Sequence, residues 1–139
     1  MSWDSYIDNL IGHTRDRSGT IHTDKACIIG LDGSAWTTTS HANALKLTPS
    51  EAAAIASAFK SGDFTEFMAN SICVEGIKYQ FLRCEDGTLV YGKKKGEGAI
   101  TLQKSKATIV IGHTKEGCDQ GNTNKGVEVI ANYLESLGQ

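Results

Sequence analysis

Trp3 and Tyr6 stand one helical turn apart at the start of the chain, Trp36 follows the first apolar run, and Tyr133 lies close to the other end. Rings of this kind, flat and tipped with an N–H or O–H, do one of two things. They fill a core, or they line a shallow trough on which a pre-ordered polyproline II segment stacks. Residue type alone leaves both open. Spacing adds a hint, because Ile7 with Leu10, and Ile130 with Leu134 and Leu137, already supply inward faces for the two helical stretches that carry these rings. If the two stretches lie side by side, Trp3, Tyr6 and Tyr133 share an edge that faces water.

A second constellation is basic. The net charge of −2 is unevenly distributed: residues 1–70 hold five bases and eight acids, whereas residues 71–139 hold nine bases and eight acids. All nine of those bases fall between Lys78 and Lys125, with five acids among them, so one face can be basic and suit an acidic partner. Lys93, Lys94 and Lys95 read either as a solvated hairpin tip or as the centre of that face. Lys78 and Arg83 are five apart, so a regular strand points them to opposite sides, and only a bulge or strong twist unites them. Nucleic acid is disfavoured, because no base-stacking pattern accompanies the lysines.

Catalytic and metal chemistry finds little support. Gly87–Lys94 superficially resembles a phosphate loop, but its final Ser/Thr is missing and the residues between the glycines read as strand. Cys27, Cys73, Cys84 and Cys118 form no Cys-x-x-Cys pair, and none combines with His13, His22, His41 or His113 at metal-ligand spacing. The expectation is free, mostly buried thiols, no metal, no cofactor and no catalytic set. The first residues carry two acids and no base, which is not a secretory signal, and no apolar run approaches the length of a membrane span. A cytoplasmic chain is expected.

The elements that must position these residues can be read in order. At 139 residues, 40% hydrophobic and 22% charged, the chain is expected to form one soluble domain with a real core. Ser2 can cap a short helix carrying Trp3, Tyr6, Ile7 and Leu10. Gly12–Lys25 reads as loop, Ala26–Leu31 as a strand, Asp32-Gly33 as a turn and Ala35–Thr39 as the returning strand. Thr48-Pro49-Ser50-Glu51 is a helix start with a capping box, and that helix runs through Phe59 to end at Ser61-Gly62. Phe64–Met68 adds a further turn. Five β-prone runs follow, Ser71–Val74, Ile77–Cys84, Thr88–Lys93, Ala99–Lys104 and Ala107–His113, joined by links short enough to demand antiparallel neighbours. Asn122–Leu137 closes as an amphipathic helix. The class expected is α+β, with an antiparallel sheet of about seven strands and helices packed on its faces.

The opening Trp3-Asp-Ser-Tyr6-Ile7-Asp8-Asn-Leu10 resembles the N-terminal signature of profilins, a family of small actin-monomer-binding proteins. The resemblance continues in order through Leu47–Glu51, Gly92-Lys93-Lys94, Asn124-Lys125 and Tyr133-Leu134, essentially the whole chain. It implies N- and C-terminal helices packed together on one face of the sheet, with a further helix or helices on the other. It implies a cleft for proline-rich proteins, such as actin nucleators and elongators, at Trp3, Tyr6, Trp36, Tyr133 and Leu134. It implies an actin face at Lys78, Arg83, Lys93, Lys94, Lys95, Asn124, Lys125 and Glu128. A phosphoinositide membrane surface would meet Arg83, Lys93, Lys94, Lys95 and Lys125. Asp119 departs from the pattern by placing an acid beside the start of the actin-facing helix. The implied role is a non-enzymatic regulator of actin polymerisation in the cytoplasm and cytoskeleton. The rival readings are a polyproline- or lipid-binding module of the same fold without productive actin binding, a small enzyme, and a trafficking scaffold of related topology.

Overall fold

The computed structural model describes residues 3–38 and 40–139. The expected Ser2 cap and the end of the Ala35–Thr39 strand therefore lie outside the described residues. Among the described residues ten elements follow one another: α1 Ser5–His13, β1 Thr23–Gly30, α2 Pro49–Ser61, α3 Thr65–Asn70, β2 Ile72–Val74, β3 Ile77–Glu85, β4 Leu89–Lys94, β5 Gly98–Lys104, β6 Thr108–Thr114 and α4 Gln120–Ser136. The strands form one antiparallel sheet in the order β1-β6-β5-β4-β3-β2.

Strand alternation sends side chains to two separate cores. Ala26 and Ile28 of β1 and Val110 of β6 pack under α1 and α4 with Ile7, Leu10, Val127, Ile130 and Leu134. Cys27, Ile29, Ile109 and Ile111 face the other way, onto Ile55 and Phe59 of α2 and Phe67 of α3. Covered on both sides, β6 is buried along its whole length.

The α2 start is set by the expected capping box: Glu51 N–H donates to Thr48 Oγ1 (3.2 Å) and Thr48 N–H donates to Glu51 Oε1 (2.9 Å). The same buried carboxylate also accepts the N–H groups of Glu75 (3.1 Å) and Gly76 (2.7 Å), so it ties the helix to the β2–β3 turn. Two glycines bring α4 close. A Cβ on Gly112 of β6 would stand 2.9 Å from Val127, and one on Gly126 would stand 2.8 Å from the Leu10 carbonyl oxygen of α1.

Three expectations change. β1 begins at Thr23 rather than Ala26, because Thr23 pairs with Thr114 and its hydroxyl meets that of Thr123 at 2.7 Å; buried hydroxyls that find partners extend the strand. The returning strand after Asp32-Gly33 reduces to one bridge, Ile29 with Ala35, because the N–H groups of Trp36 and Thr37 both turn onto the Ile28 carbonyl. Among the described residues the sheet thus has six strands, close to the seven expected. The thiols are not mostly buried: Cys27 is buried, Cys73 and Cys118 are half-buried, and Cys84 is exposed where burial along β3 falls away after Phe81.

Candidate functional site

The seam between α1 and α4 gathers the rings. Trp3 stacks on Tyr6 with centroids 5.2 Å apart, Trp36 meets Trp3 edge-on at 4.6 Å, and Tyr6 lies 6.2 Å from Tyr133. Offset and edge-on pairs are the arrangements the ring quadrupoles favour. Trp3, Tyr6 and Trp36 are half-buried, packed by one edge against the core below, and Tyr133 is 51% exposed. The trough continues along the seam between Tyr6, Asn9 and His13 of α1 and Val129 and Tyr133 of α4. Partial burial, with Tyr133 nearby, pushes the Tyr6 phenol pKa up.

Leu134 does not join this surface. It follows Val127 and Ile130 down the inward stripe of α4 and is 0% exposed, so it supports the rings from below and offers a ligand no atom.

The other flank of α4 overlooks an uncovered strip of sheet. The register of β3 on β4 shifts between Phe81 and Arg83, leaving Leu82 as an extra, exposed residue. This is the bulge that the Lys78/Arg83 spacing required. Gln80 faces Lys93 across the ladder and Arg83 faces Tyr91, so Lys78, Arg83, Tyr91 and Lys93 share one side. The Arg83 guanidinium lies over the Tyr91 ring at 5.1 Å and pairs with Glu85 at 3.1 Å. Burial and the negative charge of Glu85 raise the Tyr91 phenol pKa; Arg83 opposes them, and Glu128 of α4 adds to the rise.

The start of α4 is pinned to the same strip. Thr101 Oγ1 donates to Asn124 Oδ1, and Gln120 Nε2 donates to the Ile100 carbonyl at 2.9 Å. Asn124, Glu128, Arg83, Tyr91 and Lys93 therefore border one face, with Lys125 exposed one position further round the helix. Lys93 shares a polar depression with Lys115, Asp119 and Gln120. Lys94, next in the strand, alternates to the opposite side of the sheet, and Lys95 lies in the β4–β5 turn. Asp119 serves the helix itself, because its carboxylate accepts the Gly121 N–H at 2.9 Å and caps α4.

Sequence reasoning missed Tyr91, Thr101 and Gln120. Tyr91 stands two residues from Lys93 on a strand, and that period was signal enough to place it on the same side. Nothing local marks Thr101 or Gln120, since helix docking alone brings them in.

Comparison with known proteins bears on the family and the fold. The profilin family model matches residues 1–139. Profilin of Clypeaster japonicus is 69% identical, with 99% of each chain covered. Among solved structures, Acanthamoeba castellanii profilin II superposes with a TM-score of 0.81 at 34% identity, covering 99% of this chain and 100% of that one. Mouse profilin IIa, solved in complex with a double repeat from the FH1 domain of mDia1, covers all of both chains with a TM-score of 0.72 at 23% identity. With its whole length matched by the family and two layers of helices about the same antiparallel sheet, the chain belongs to the profilin family.

Proposed function

We propose that this chain is a non-enzymatic, cytoplasmic regulator of actin polymerisation that binds actin monomers on one flank of α4 and proline-rich segments on the other. The observation that carries the reading is the half-exposed ring cluster gathered from both terminal helical segments and Trp36 in a chain that the profilin family model matches over residues 1–139. A trough of Trp3, Tyr6, Trp36 and Tyr133 offers flat apolar area with polar tips, which matches a segment whose own order costs little to hold. The mouse relative bound to an FH1 repeat supports this assignment. The actin face is Lys78, Arg83, Lys93, Asn124, Lys125 and Glu128, with the buried Tyr91 ring beneath Arg83 and Lys95 contributing from the hairpin tip; Lys94, on the other side of the sheet, stays outside it. Charge of this kind sets encounter rate and register more than final affinity. Phosphoinositide headgroups are the third ligand, taken by Arg83, Lys93, Lys94, Lys95 and Lys125.

Retention on polyproline resin tests the trough. Replacing Trp3 by Ala removes a central anchor, worth about 2 kcal/mol or roughly 30-fold in affinity. Unchanged retention would overturn the assignment. The actin face is tested by native gels and sedimentation with purified monomers: a complex is expected, broken by charge reversal at Lys125. Failure to form one would leave a polyproline- or lipid-binding module of the same fold. Binding to phosphoinositide vesicles should weaken as salt rises, because exposed charges are screened within about 10 Å at 0.1 M; salt-independent binding would remove the lipid from the proposal.

A further inference from the structure

The two tryptophans come from different elements, and something must hold them in contact. Trp36 is fixed to β1: its N–H donates to the Ile28 carbonyl at 3.0 Å, and Thr37 Oγ1 accepts the Ile28 N–H at 3.1 Å. Trp3 has no such strand beneath it. It precedes the first turn of a nine-residue helix, where chains fray. Asp4, the next residue, occupies the N-cap position of α1 and is of a type that ordinarily caps its own helix, yet its side chain makes no capping bond there. Its carboxylate reaches out of the helix. Thr38 N–H donates to Oδ1 at 2.7 Å and Thr38 Oγ1 donates to Oδ2 at 2.5 Å, across 34 residues of sequence. The Thr38 hydroxyl also meets Ser40 Oγ at 2.7 Å. One turn along, Asp8 holds His41 Nε2 at 3.0 Å, while the Asn43 N–H donates to His41 Nδ1. The carboxylates of α1 thus grip the segment that follows Trp36.

We propose that Asp4 is a positioning residue for the aromatic cleft: by clamping the backbone N–H and hydroxyl of Thr38 it holds Trp3 against Trp36 in the arrangement that receives a proline-rich segment. This deepens the cleft reading above and rests on it. Each carboxylate oxygen accepts a hydrogen bond from Thr38, which ties the two ring-bearing segments to each other. The Thr38 hydrogen bonds also hold the Asp4 pKa below the usual carboxylate range, so the clamp is charged at neutral pH. With the clamp removed, Trp3 samples positions away from Trp36, and apparent affinity falls by the fraction of time the competent arrangement is lost.

The test uses the full chain and two readouts. The first needs no ligand: two indoles this close give an exciton couplet in far-ultraviolet circular dichroism, and its size reports their mutual geometry. The second is affinity for a proline decamer, with Trp3→Ala as the control for the cleft itself. Asp4→Ala should shrink the couplet and weaken the peptide about fivefold, as expected if the competent arrangement falls to about one-fifth of the population. Thr38→Val, which keeps the backbone N–H, should do less, and the double variant should be no worse than Asp4→Ala alone. Wild-type couplet and affinity in Asp4→Ala, while Trp3→Ala abolishes retention, would overturn the clamp and leave the cleft standing. Loss of affinity in step with loss of global stability, the couplet intact, would also overturn it. If Trp3→Ala binds normally, the cleft reading fails, and the couplet alone decides whether Asp4 sets the ring pair.

Discussion

His113 shows how a single side chain can be settled by its neighbours. Its Nδ1 faces the Asp24 carboxylate and its Nε2 faces the Glu97 carbonyl at 2.7 Å, so both nitrogens meet acceptors and both must carry a proton. Burial works against the charged ring, but the Asp24 hydrogen bond and charge, with the Glu97 carbonyl, outweigh it and hold the pKa above the ordinary 6.5. Burial likewise raises the Asp24 carboxyl, and the His113 contacts overcome that and leave it below 3.8. A histidine raised in the folded state contributes stability that is complete below its unfolded pKa and lost as pH climbs through the folded one. The depressed carboxylate contributes above its unfolded pKa and loses that as pH falls through the folded one. Wild-type protein should therefore lose stability to urea as pH rises past the ordinary histidine value of 6.5, and His113→Gln should flatten that slope. An identical slope in the variant would mean that the ring is neutral. His113 was visible in the sequence as one of four histidines. Its charge was not, because both acceptors come from segments 16 and 89 residues away.

Among elements, the contact between α1 and α4 decides most. Gly126 lies inside α4, where Ala is ordinarily better by about 1 kcal/mol. Here a methyl would sit 2.6 Å from Thr14 Cγ2 and 2.8 Å from the Leu10 carbonyl oxygen, and backbone does not yield cheaply. Gly126→Ala should therefore destabilise the protein by about 1–3 kcal/mol, as overpacking does, and spread Tyr6 from Tyr133 so that polyproline retention weakens. A more stable variant would show that the helices can part without loss. The capping box of α2 and the inward stripe of α4 were legible beforehand, from Thr48, Pro49 and Glu51 and from the spacing of Val127, Ile130 and Leu134; the Asp119 cap of α4 was not. The closeness of the crossing was not, since a helical glycine announces neither its neighbour nor the distance to it.

Taken whole, the molecule sets its two candidate surfaces on opposite flanks of one helix. Tyr133 borders α1, while Asn124 and Glu128 border β4 and β5. Sites that share no partners act independently. Arg83→Glu should weaken the actin complex while leaving polyproline affinity within about twofold, and Trp3→Ala should do the reverse, with the double variant showing the sum of the two losses. Strong non-additivity in calorimetric titrations of the three variants would mean that α4 couples the two faces. Arg83 also marks the gap between pattern and structure: parity set it opposite Lys78, and the bulge at Leu82 returned it to the same side. A bulge costs one residue of register and has no composition of its own, so parity could demand it without locating it.

By itself the sequence determined most of the elements and their order, the inward positions Ile7, Leu10, Val127, Ile130 and Leu134 (Leu137, expected with them, is 52% exposed), and the ring and lysine residues worth testing, because these follow from local propensity and from periods of two and 3.6 residues. Tertiary structure alone decided that Trp3, Tyr6, Trp36 and Tyr133 meet in one cluster, that a bulge at Leu82 returns Arg83 to the side of Lys78, and that Asp4 reaches Thr38 instead of capping its own helix. Each of these depends on which distant segment arrives alongside, and burial and hydrogen-bond partners across such distances are properties of the packed chain.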